Sequence, residues 1–227
     1  MTTDNEKTKK RYDERLKIFG YNPKTLGWLK GKQGLRFQIL TSVGKLDNSS
    51  VLDLGCGFGD LYGFLKYCNI KCNYLGLELN PNILEIGKKK YPKAELDIFN
   101  VEKNDMPKKF DWIIISGMFN FKRKRNYDFI ENVLKKAFKS CKKGIAVDFL
   151  STYVDFKNSN VNYVSPEKIF KIGKKLSKRV VIRHDYMPFE FCIYIYKNQI
   201  LTKDNSFKDA KMKLKPELRS NRWLKYV

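Results

Sequence analysis

The sequence predicts an α/β fold with a seven-stranded, mostly parallel sheet and helices on both faces. Short apolar runs alternate with segments of helical periodicity from residue 51 onward, and such alternation builds a parallel sheet. The last two predicted strands follow each other across the short stretch 185–188, which makes one strand antiparallel. The sequence shows no internal repeat, and 227 residues are expected to form one main domain with short extensions.

The N-terminal part, residues 1–44, is predicted to be a helical lid segment. Residues 1–20 place Tyr12, Leu16 and Phe19 on one helix face, and residues 35–43 form a second amphipathic stretch. Strands are expected at 51–54, 73–78, 94–97, 110–116, 144–150, 179–184 and 191–197, and helices near 60–68, 81–90, 125–140 and 165–175. The main domain therefore spans residues 45–197, and residues 198–227 form a basic C-terminal tail.

The segment from Val51 to Asp60 is the most informative stretch of the chain. It runs from an apolar strand into glycines at positions 55, 57 and 59 and then into a helix. Glycine lets the backbone approach a ligand closely, and the helix that follows offers unpaired N–H groups. A dinucleotide fingerprint needs a small residue where Asp60 stands, and Asp53 and Asp60 would repel a pyrophosphate. These acids suit a ligand with an ammonium and a sulfonium, which indicates S-adenosylmethionine.

The next two strands end in acids that fit the same ligand. Glu78 closes the second strand roughly 20 residues after the glycines, where a carboxylate can accept both hydroxyl groups of a ribose. Leu79 follows Glu78 and is expected at the same edge of the sheet. Asp97 follows the third apolar stretch and is placed to accept the adenine amino group, with the Ile98 N–H near the ring.

Three segments together resemble the class I S-adenosylmethionine-dependent methyltransferases, whose fold is Rossmann-like. They are Val51–Leu61 (VLDLGCGFGDL), Tyr74–Ile83 (YLGLELNPNI) and Phe110–Asn120 (FDWIIISGMFN), and the resemblance covers residues 45–197. It implies an enzyme whose cofactor is S-adenosylmethionine and a sheet with one antiparallel strand. The donor-binding residues predicted from the motifs and the resemblance together are Asp53, Gly55, Gly57, Glu78, Leu79, Asp97, Ile98 and Ser116.

Candidate catalytic residues stand at the carboxyl ends of the later strands, where ligands of open α/β sheets lie. Methyl transfer needs alignment and exclusion of water, and it needs a general base only for a poor nucleophile such as an alcohol. His184, the only histidine, could accept that proton or could be satisfied by a backbone carbonyl. Asn120 could orient the substrate or cap the next helix, and Asp148 could line the acceptor pocket.

The acceptor class is narrowed by a motif that the chain lacks. DNA and protein-glutamine amino methyltransferases carry an Asn/Asp-Pro-Pro-aromatic motif after the fourth strand, and the sequence here has neither proline. In the family that the chain resembles, segments before the first strand often cover the donor. Arg36 could then pair with the methionine carboxylate, and Tyr12 and Trp28 could contact the acceptor. Trp28 could instead pack in the core, and Tyr186 could shape the pocket mouth.

The formal charge of +22 leaves two interpretations open. Nucleic acid is one, because lysines gain affinity by releasing phosphate counterions. The other is a generally basic surface that could steer an anionic substrate to the enzyme. The basic residues are dispersed over 88–90, 122–125, 135–143, 168–179 and the tail, which favours the generally basic surface. The function expected is O-methylation of a small molecule, and an RNA methyltransferase using the basic surface and tail is the alternative. The tail could be a solvated arm or could pack through Trp223.

Cysteine content and hydropathy indicate the setting of the protein. The five cysteines form no C-x-x-C pair and there is one histidine, so no metal site is expected. An odd cysteine count without a signal peptide indicates the cytoplasm. No apolar run approaches the roughly 20 residues of a spanning helix, so no membrane partner is expected. The acceptor and the oligomeric state stay open at this stage.

Overall fold

The computed structural model describes residues 3–27, 32–201 and 207. The elements are α1 Asp4–Phe19, α2 Gln33–Thr41, β1 Ser50–Leu54, α3 Asp60–Tyr67, β2 Asn73–Glu78, α4 Pro81–Lys90, β3 Glu95–Ile98, β4 Phe110–Ile115, α5 Asn126–Ser140, β5 Cys141–Leu150, α6 Pro166–Leu176, β6 Val180–Met187 and β7 Glu190–Tyr196. Their types and order are those predicted from the sequence. The strand boundaries that differ most are two: β5 begins at Cys141, which pairs with Phe110, and β6 continues to Met187, which pairs with Glu190.

The seven strands form one sheet in the order β3-β2-β1-β4-β5-β7-β6. β7 runs antiparallel to both of its neighbours, and the remaining pairs are parallel. This confirms the predicted Rossmann-like sheet with one antiparallel strand. The chain reverses its winding direction between β1 and β4. Ligands of open α/β sheets bind beyond the carboxyl ends of the strands at such a point.

The central strands are buried on both faces, which is why they read as continuous apolar runs. Leu52 of β1 and Ile113 of β4 have no exposed surface, and they belong to a core packed against α5 and α6. A second core on the opposite face packs α2 and α3 on the sheet, with Leu40 fully buried in it. These two layers hold the carboxyl ends of β1, β2 and β4 in fixed positions.

Helix α4 begins as the sequence predicts. The Asn80 side chain accepts hydrogen bonds from the N–H groups of Asn82 and Ile83, and Pro81 takes the first helical position. This cap ends β2 sharply, so that Glu78 and Asn80 stay at the edge of the sheet. Within the described residues, no helix is long and apolar enough to cross a bilayer.

Contacts divide the chain into two compact units, residues 1–197 and residues 198–227. The first unit contains all thirteen helices and strands given above. In the second unit, Leu201 forms an isolated antiparallel bridge with Phe207. Trp223 of the tail lies outside the described residues.

Candidate active site

A cavity lies at the carboxyl ends of the central strands, and we call it the central cavity. Each strand end contributes a short segment to its wall: 53–57 after β1, 77–79 after β2, 99–101 after β3 and 116–118 after β4. The parallel strands bring these segments to one edge of the sheet. Of the predicted donor-binding residues, the cavity wall contains Asp53, Gly55, Gly57, Glu78, Leu79 and Ser116.

The glycine turn after β1 needs its glycines for two reasons. Gly55, Gly57 and Gly59 all have positive φ, at 78°, 57° and 81°. A β-carbon on Gly57 would lie 2.9 Å from the Leu26 side chain, which is closer than real β-carbons approach. The backbone of the turn therefore forms this part of the cavity wall, and a side chain at Gly57 would occupy the space between the turn and Leu26.

Glu78 connects the end of β2 to the glycine turn. Its side chain is buried, its Oε2 accepts a hydrogen bond from the Gly57 N–H at 2.9 Å, and its Oε1 accepts one from the Asn80 N–H at 2.9 Å. Burial raises the pKa of Glu78, and the backbone N–H groups lower it in part. Each carboxylate oxygen keeps a second lone pair, so Glu78 can still accept hydroxyl groups from a ligand.

Asp53 is a buried carboxyl without a cationic partner. It is 3% exposed, lines the central cavity and accepts a 2.7 Å hydrogen bond from the Tyr74 hydroxyl. Burial raises its pKa to about 7, and the charges of Glu78 and Asp60 act in the same direction. No ion pair joins Asp53 to any lysine or arginine in the part of the chain that the structure describes. A positive group beside the Asp53 carboxyl would stabilise its ionised form, and the ammonium and sulfonium of S-adenosylmethionine fit this wall.

Helix α1 covers the central cavity from the solvent side. Asn5, Thr8 and Tyr12 line the cavity, although α1 has no buried residue among those described. Burial, followed by the charge of Glu78, raises the pKa of the Tyr12 hydroxyl. The Tyr12 ring meets the Phe121 ring edge-on at 5.3 Å, and Phe121 lines the same cavity. Tyr12 is therefore at the cavity, as predicted.

Polar contacts rather than apolar burial hold α1 in place. The Asn80 and Asn82 side-chain amides both donate to Asp13 Oδ1 at 2.9 Å. At the other end of the helix, Arg123 donates to Asn5 Oδ1 at 3.1 Å and to Glu102 Oε2 at 2.7 Å. These partly buried contacts hold α1 at both of its ends, beside the strand ends that form the cavity.

Residues 20–27 form the second part of the cover. Leu26 lines the central cavity over Gly57, and the Tyr21 hydroxyl donates to Asp60 Oδ1 at 2.8 Å. Asp60 also accepts hydrogen bonds from Tyr91 at 3.1 Å and from Gln33 at 3.3 Å. Asp60 thus anchors the cover rather than facing the ligand. The predicted acceptor contact Trp28 lies outside the described residues.

The structure does not bring Asp97 or Ile98 to the central cavity. Both are exposed, Ile98 at 54%, because β3 continues through Ile98 and the chain turns toward the cavity only afterwards. Phe99, Asn100 and Val101 line the cavity instead. The residue that could have indicated this turn in the sequence is Asn100. Its Oδ1 accepts a hydrogen bond from the Glu102 N–H at 3.0 Å, a contact that is typical of a turn after a strand.

Arg36 is also absent from the cavity wall. Its guanidinium is buried and makes a two-pronged ion pair with Glu190; the distance from Nε to Oε2 is 2.6 Å. Burial raises the pKa of Glu190, and Arg36 lowers it. The predicted pairing of Arg36 with the methionine carboxylate considered only the position of Arg36 before the first strand. Its actual partner, Glu190, is 154 residues away and could not be inferred from that position.

Asp148 lies one layer behind the cavity floor. It is 3% exposed; its Oδ2 accepts from the Ser116 hydroxyl at 2.8 Å and its Oδ1 from the Gly117 N–H at 2.6 Å. Ser116 and Gly117 line the cavity. The Tyr186 hydroxyl is buried without a hydrogen-bond partner, and burial followed by the charge of Asp148 raises its pKa. Tyr186 therefore belongs to this buried cluster and not to the cavity wall.

His184 and Asn120 are not part of the cavity wall. The His184 Nε2 lies 3.2 Å from the Pro188 carbonyl oxygen, as in the backbone-satisfied alternative. The Asn120 carbonyl accepts the Asn162 N–H, and α5 begins at Asn126 with Arg125 as its N-cap. Among the residues described, no group of three His, Cys, Asp or Glu side chains could hold a metal ion.

Comparison with known proteins agrees with this geometry. A family model described as a methyltransferase domain matches residues 51–144. A protein of Mycobacterium tuberculosis (strain ATCC 25618 / H37Rv), provisionally named a methyltransferase, is 28% identical over 164 residues, which cover 68% of this chain and 97% of that protein.

Solved structures share the fold. Magnesium protoporphyrin IX methyltransferase from Synechocystis PCC 6803 with bound SAM is 12% identical, with a TM-score of 0.62 over 86% of this chain and 98% of that chain. A TehB-like SAM-dependent methyltransferase from Corynebacterium glutamicum ATCC 13032 is 16% identical, with a TM-score of 0.56 over 85% and 98%. At such identities the likeness shows the fold alone. The methyltransferase-domain match, the bacterial relative and the shared fold together support a class I S-adenosylmethionine-dependent methyltransferase.

Proposed function

We propose that this methyltransferase methylates an oxygen atom of a small molecule bound in the central cavity. The observation that carries the proposal is the double cover over the glycine turn. Helix α1 contributes Tyr12 and residues 20–27 contribute Leu26 to the cavity wall. A molecule that fits beneath this cover is small and is shielded from water, and both conditions suit an in-line transfer.

The donor site is assigned to the residues of the sheet edge. Glu78 would accept the ribose hydroxyl groups, and Asp53 would face the ammonium group. Phe99 and Val101 would contact the adenine in place of the predicted Asp97 and Ile98. When bound, S-adenosylmethionine supplies an electrophilic methyl group on a sulfonium. The protein's own part is to align that group and to exclude water.

Oxygen is favoured as the acceptor atom because of the cavity floor. The floor presents the Ser116 hydroxyl, which donates to the buried Asp148 carboxyl. An alcohol or phenol is a poor nucleophile until its proton is removed, and a hydroxyl backed by a carboxylate can assist that removal. A sulfur or nitrogen acceptor would not need such a pair.

RNA is the second candidate acceptor, and one surface groove favours it. Lys122, Lys124 and Lys157 line this groove beside the β4–α5 connection. No carboxylate pairs with these three lysines in the described part of the chain. Free cations next to the cavity would attract phosphates. The groove and the central cavity share no lining residue, and this separation favours the small molecule.

Transfer of a labelled methyl group separates the two candidates. The protein is incubated with methyl-labelled S-adenosylmethionine and, in parallel, with a small-metabolite fraction and with total RNA of its host. We expect label in the small-metabolite fraction, lost in Glu78→Ala and kept in Glu95→Ala, an exposed acid on β3. Label in RNA, with RNA affinity that falls steeply as salt rises, would contradict the small-molecule proposal.

A cytoplasmic location is part of the same proposal. All five cysteines are free thiols, and Cys68 is exposed. Thiols stay reduced in the cytoplasm, whereas compartments outside it, such as the periplasm, are oxidising and favour disulfides. Alkylation of freshly lysed cells should modify Cys68; recovery of the protein only as a disulfide-linked form would contradict the assignment.

A further inference from the structure

The floor of the central cavity has a second polar layer behind it. Ser116 lines the cavity and donates its hydroxyl hydrogen to Asp148 Oδ2 at 2.8 Å. Asp148 itself does not line the cavity, and only 3% of it is exposed. A ligand in the cavity can therefore reach Asp148 only through the Ser116 hydroxyl or by displacing it.

The position of Asp148 is fixed on its other side. Its Oδ1 accepts the Gly117 N–H at 2.6 Å, so the carboxyl plane is held by two donors from adjacent residues. Gly117 has a φ of 69°, a left-handed conformation that turns the chain after β4 and presents its N–H to Asp148. The Ser116 hydroxyl thus points from the cavity toward a carboxyl that cannot move away.

We propose that Ser116 and Asp148 form a proton relay that removes the hydroxyl proton of the methyl acceptor. This inference rests on the proposed oxygen methylation in the central cavity. The acceptor O–H bond breaks and its proton binds Ser116 Oγ, while the proton of Ser116 Oγ passes to Asp148 Oδ2. Ser116 ends as a neutral hydroxyl and Asp148 as a neutral carboxyl. The electron pair left on the acceptor oxygen forms the new bond to the methyl group.

The surroundings of Asp148 suit a proton acceptor at neutral pH. Burial, followed by the charge of Glu190, raises its pKa to about 6, and Gly117, Arg36 and Ser116 lower it in part. A base works best when its pKa lies near the operating pH, because it is then ionised and still holds a proton well.

Every packed element contributes a group to this environment. The charged and titratable groups that face Asp148 are Arg36 on α2, Asp53 on β1, Tyr186 on β6, and Glu190 and Cys192 on β7. Arg36 and Glu190 form an ion pair, and their charges act on Asp148 in opposite directions. Tyr186 and Cys192 have raised pKa values and stay neutral near pH 7. Asp148, with its pKa raised to about 6, and Asp53, with its pKa raised to about 7, are therefore the two carboxyls that change charge near neutral pH, which is why the signal of Asp148 must be assigned by its own variant.

The same chain offers a matched control at the opposite end of the sheet. Ser50 donates its hydroxyl hydrogen to Asp111 Oδ2 at 3.0 Å, and its N–H donates to the same oxygen at 2.8 Å. This pair joins the amino ends of β1 and β4 and does not line the central cavity. A substitution at Asp111 therefore breaks a serine–aspartate hydrogen bond of the same kind and leaves Ser116 and Asp148 unchanged.

The first test follows the Asp148 carboxyl directly. Protein labelled with ¹³C at the aspartate carboxyls and saturated with S-adenosylhomocysteine is titrated by NMR, and Asp148→Asn identifies the signal. We expect a midpoint near 6, which Ser116→Ala raises because the ionised form loses a donor. A midpoint below about 4 overturns the relay, since such a carboxylate holds a proton too weakly.

The second test compares two acceptor atoms. The probes are phenol and 3,4-dihydroxybenzoic acid, whose hydroxyl groups are protonated at neutral pH and need deprotonation, and 4-nitrothiophenol, whose thiol is already ionised at neutral pH. Asp148→Asn should lower methylation of the hydroxyl probes by about 100-fold and that of the thiol by less than threefold. Asp111→Asn should change neither. Equal loss on all probes, or methylation of the thiol alone by the unmodified protein, overturns the relay.

Calorimetry with S-adenosylhomocysteine separates this failure from failure of the proposed function. We expect Asp148→Asn, which changes a residue behind the cavity wall, to bind it within threefold of the unmodified protein. Normal binding together with no methylation of any hydroxyl probe overturns the relay and leaves the donor site intact. Absence of binding to the unmodified protein overturns the proposed donor site itself.

Discussion

The Gly57 backbone N–H lies 2.9 Å from Glu78 Oε2, so the turn after β1 and the acid after β2 form one unit. The same carboxylate takes the Asn80 N–H on its other oxygen. Glu78 therefore contributes to the wall of the central cavity in two ways: its carboxylate oxygens can accept hydrogen bonds from a ligand, and it holds the glycine turn in place.

Replacing Glu78 by alanine should weaken binding of S-adenosylhomocysteine at least tenfold. The variant loses the acceptor for the ribose hydroxyls and releases two backbone donors, and tenfold corresponds to about 1.4 kcal/mol. Isothermal titration calorimetry measures the affinity. Glu95 is an exposed acid on the neighbouring strand β3, and the control variant Glu95→Ala should bind S-adenosylhomocysteine with unchanged affinity. An unchanged dissociation constant for Glu78→Ala would remove Glu78 from the donor site.

Donor binding should strengthen as pH rises from 6 to 8. The Asp53 pKa is raised to about 7, so the folded protein holds a proton on Asp53 that the unfolded chain releases near pH 4. The unbound protein therefore loses stability as pH rises from 4 to 7. An ammonium group beside Asp53 favours its ionised form, so S-adenosylhomocysteine, which carries that group, should raise the melting temperature more at pH 8 than at pH 6. Asp53→Asn should flatten this dependence; the same slope in the variant would contradict it.

Gly57→Ala should disrupt the contact between the turn and its cover. The new β-carbon would lie 2.9 Å from Leu26 at a φ of 57°, which costs about 1–2 kcal/mol in strain and weakens donor binding. Leu26→Ala in the same chain should recover part of the loss, since it removes the clash and leaves the φ strain. Gly34→Ala in α2 is the control and should stabilise the protein, because nothing lies within 4 Å of its β-carbon. Absence of any recovery would show that Leu26 does not contact the turn.

The buried Arg36–Glu190 pair should matter more to stability than its surface counterparts. Glu190→Gln removes the carboxylate charge beside the buried guanidinium and should lower the free energy of unfolding by about 3–5 kcal/mol. Urea denaturation measures it. The double variant Arg36→Met, Glu190→Met should be more stable than Glu190→Gln, because no lone charge stays buried. A loss below about 1 kcal/mol in Glu190→Gln, as for exposed pairs, would contradict the burial of this pair.

Tyr186→Phe should stabilise the protein by about 1 kcal/mol. The hydroxyl is buried without a partner, and an unsatisfied buried donor of this kind is costly. Chemical denaturation of the two proteins gives the difference. Destabilisation by a similar amount would mean that the hydroxyl has a partner, such as a bound water.

Much of the fold is predictable because its signals are local. The apolar runs of β1 and β4, the Asn80-Pro81 helix start and the glycines at 55, 57 and 59 each act within a few residues. Alternation of strands and helices then fixes the sheet, because parallel strands need helical connections. The same local signals place Asp53 and Glu78 at the central cavity.

The remaining parts of the site depend on contacts between distant residues. Arg36 meets Glu190 across 154 positions, and Ser116 meets Asp148 across 32. Neither pairing leaves a periodicity in the sequence. The end of β3 also matters: the strand continues one residue beyond the predicted end at 97, and the residues that reach the cavity wall after it are Phe99, Asn100 and Val101 rather than Asp97 and Ile98.

The central claim is that the glycine turn and Glu78 hold the methyl donor in the central cavity. A crystal structure of the protein with S-adenosylhomocysteine tests it most directly. We expect both ribose hydroxyls within hydrogen-bonding distance of the Glu78 carboxylate, and the amino group beside Asp53. Ligand bound elsewhere, or a ribose that does not contact Glu78, would contradict the claim.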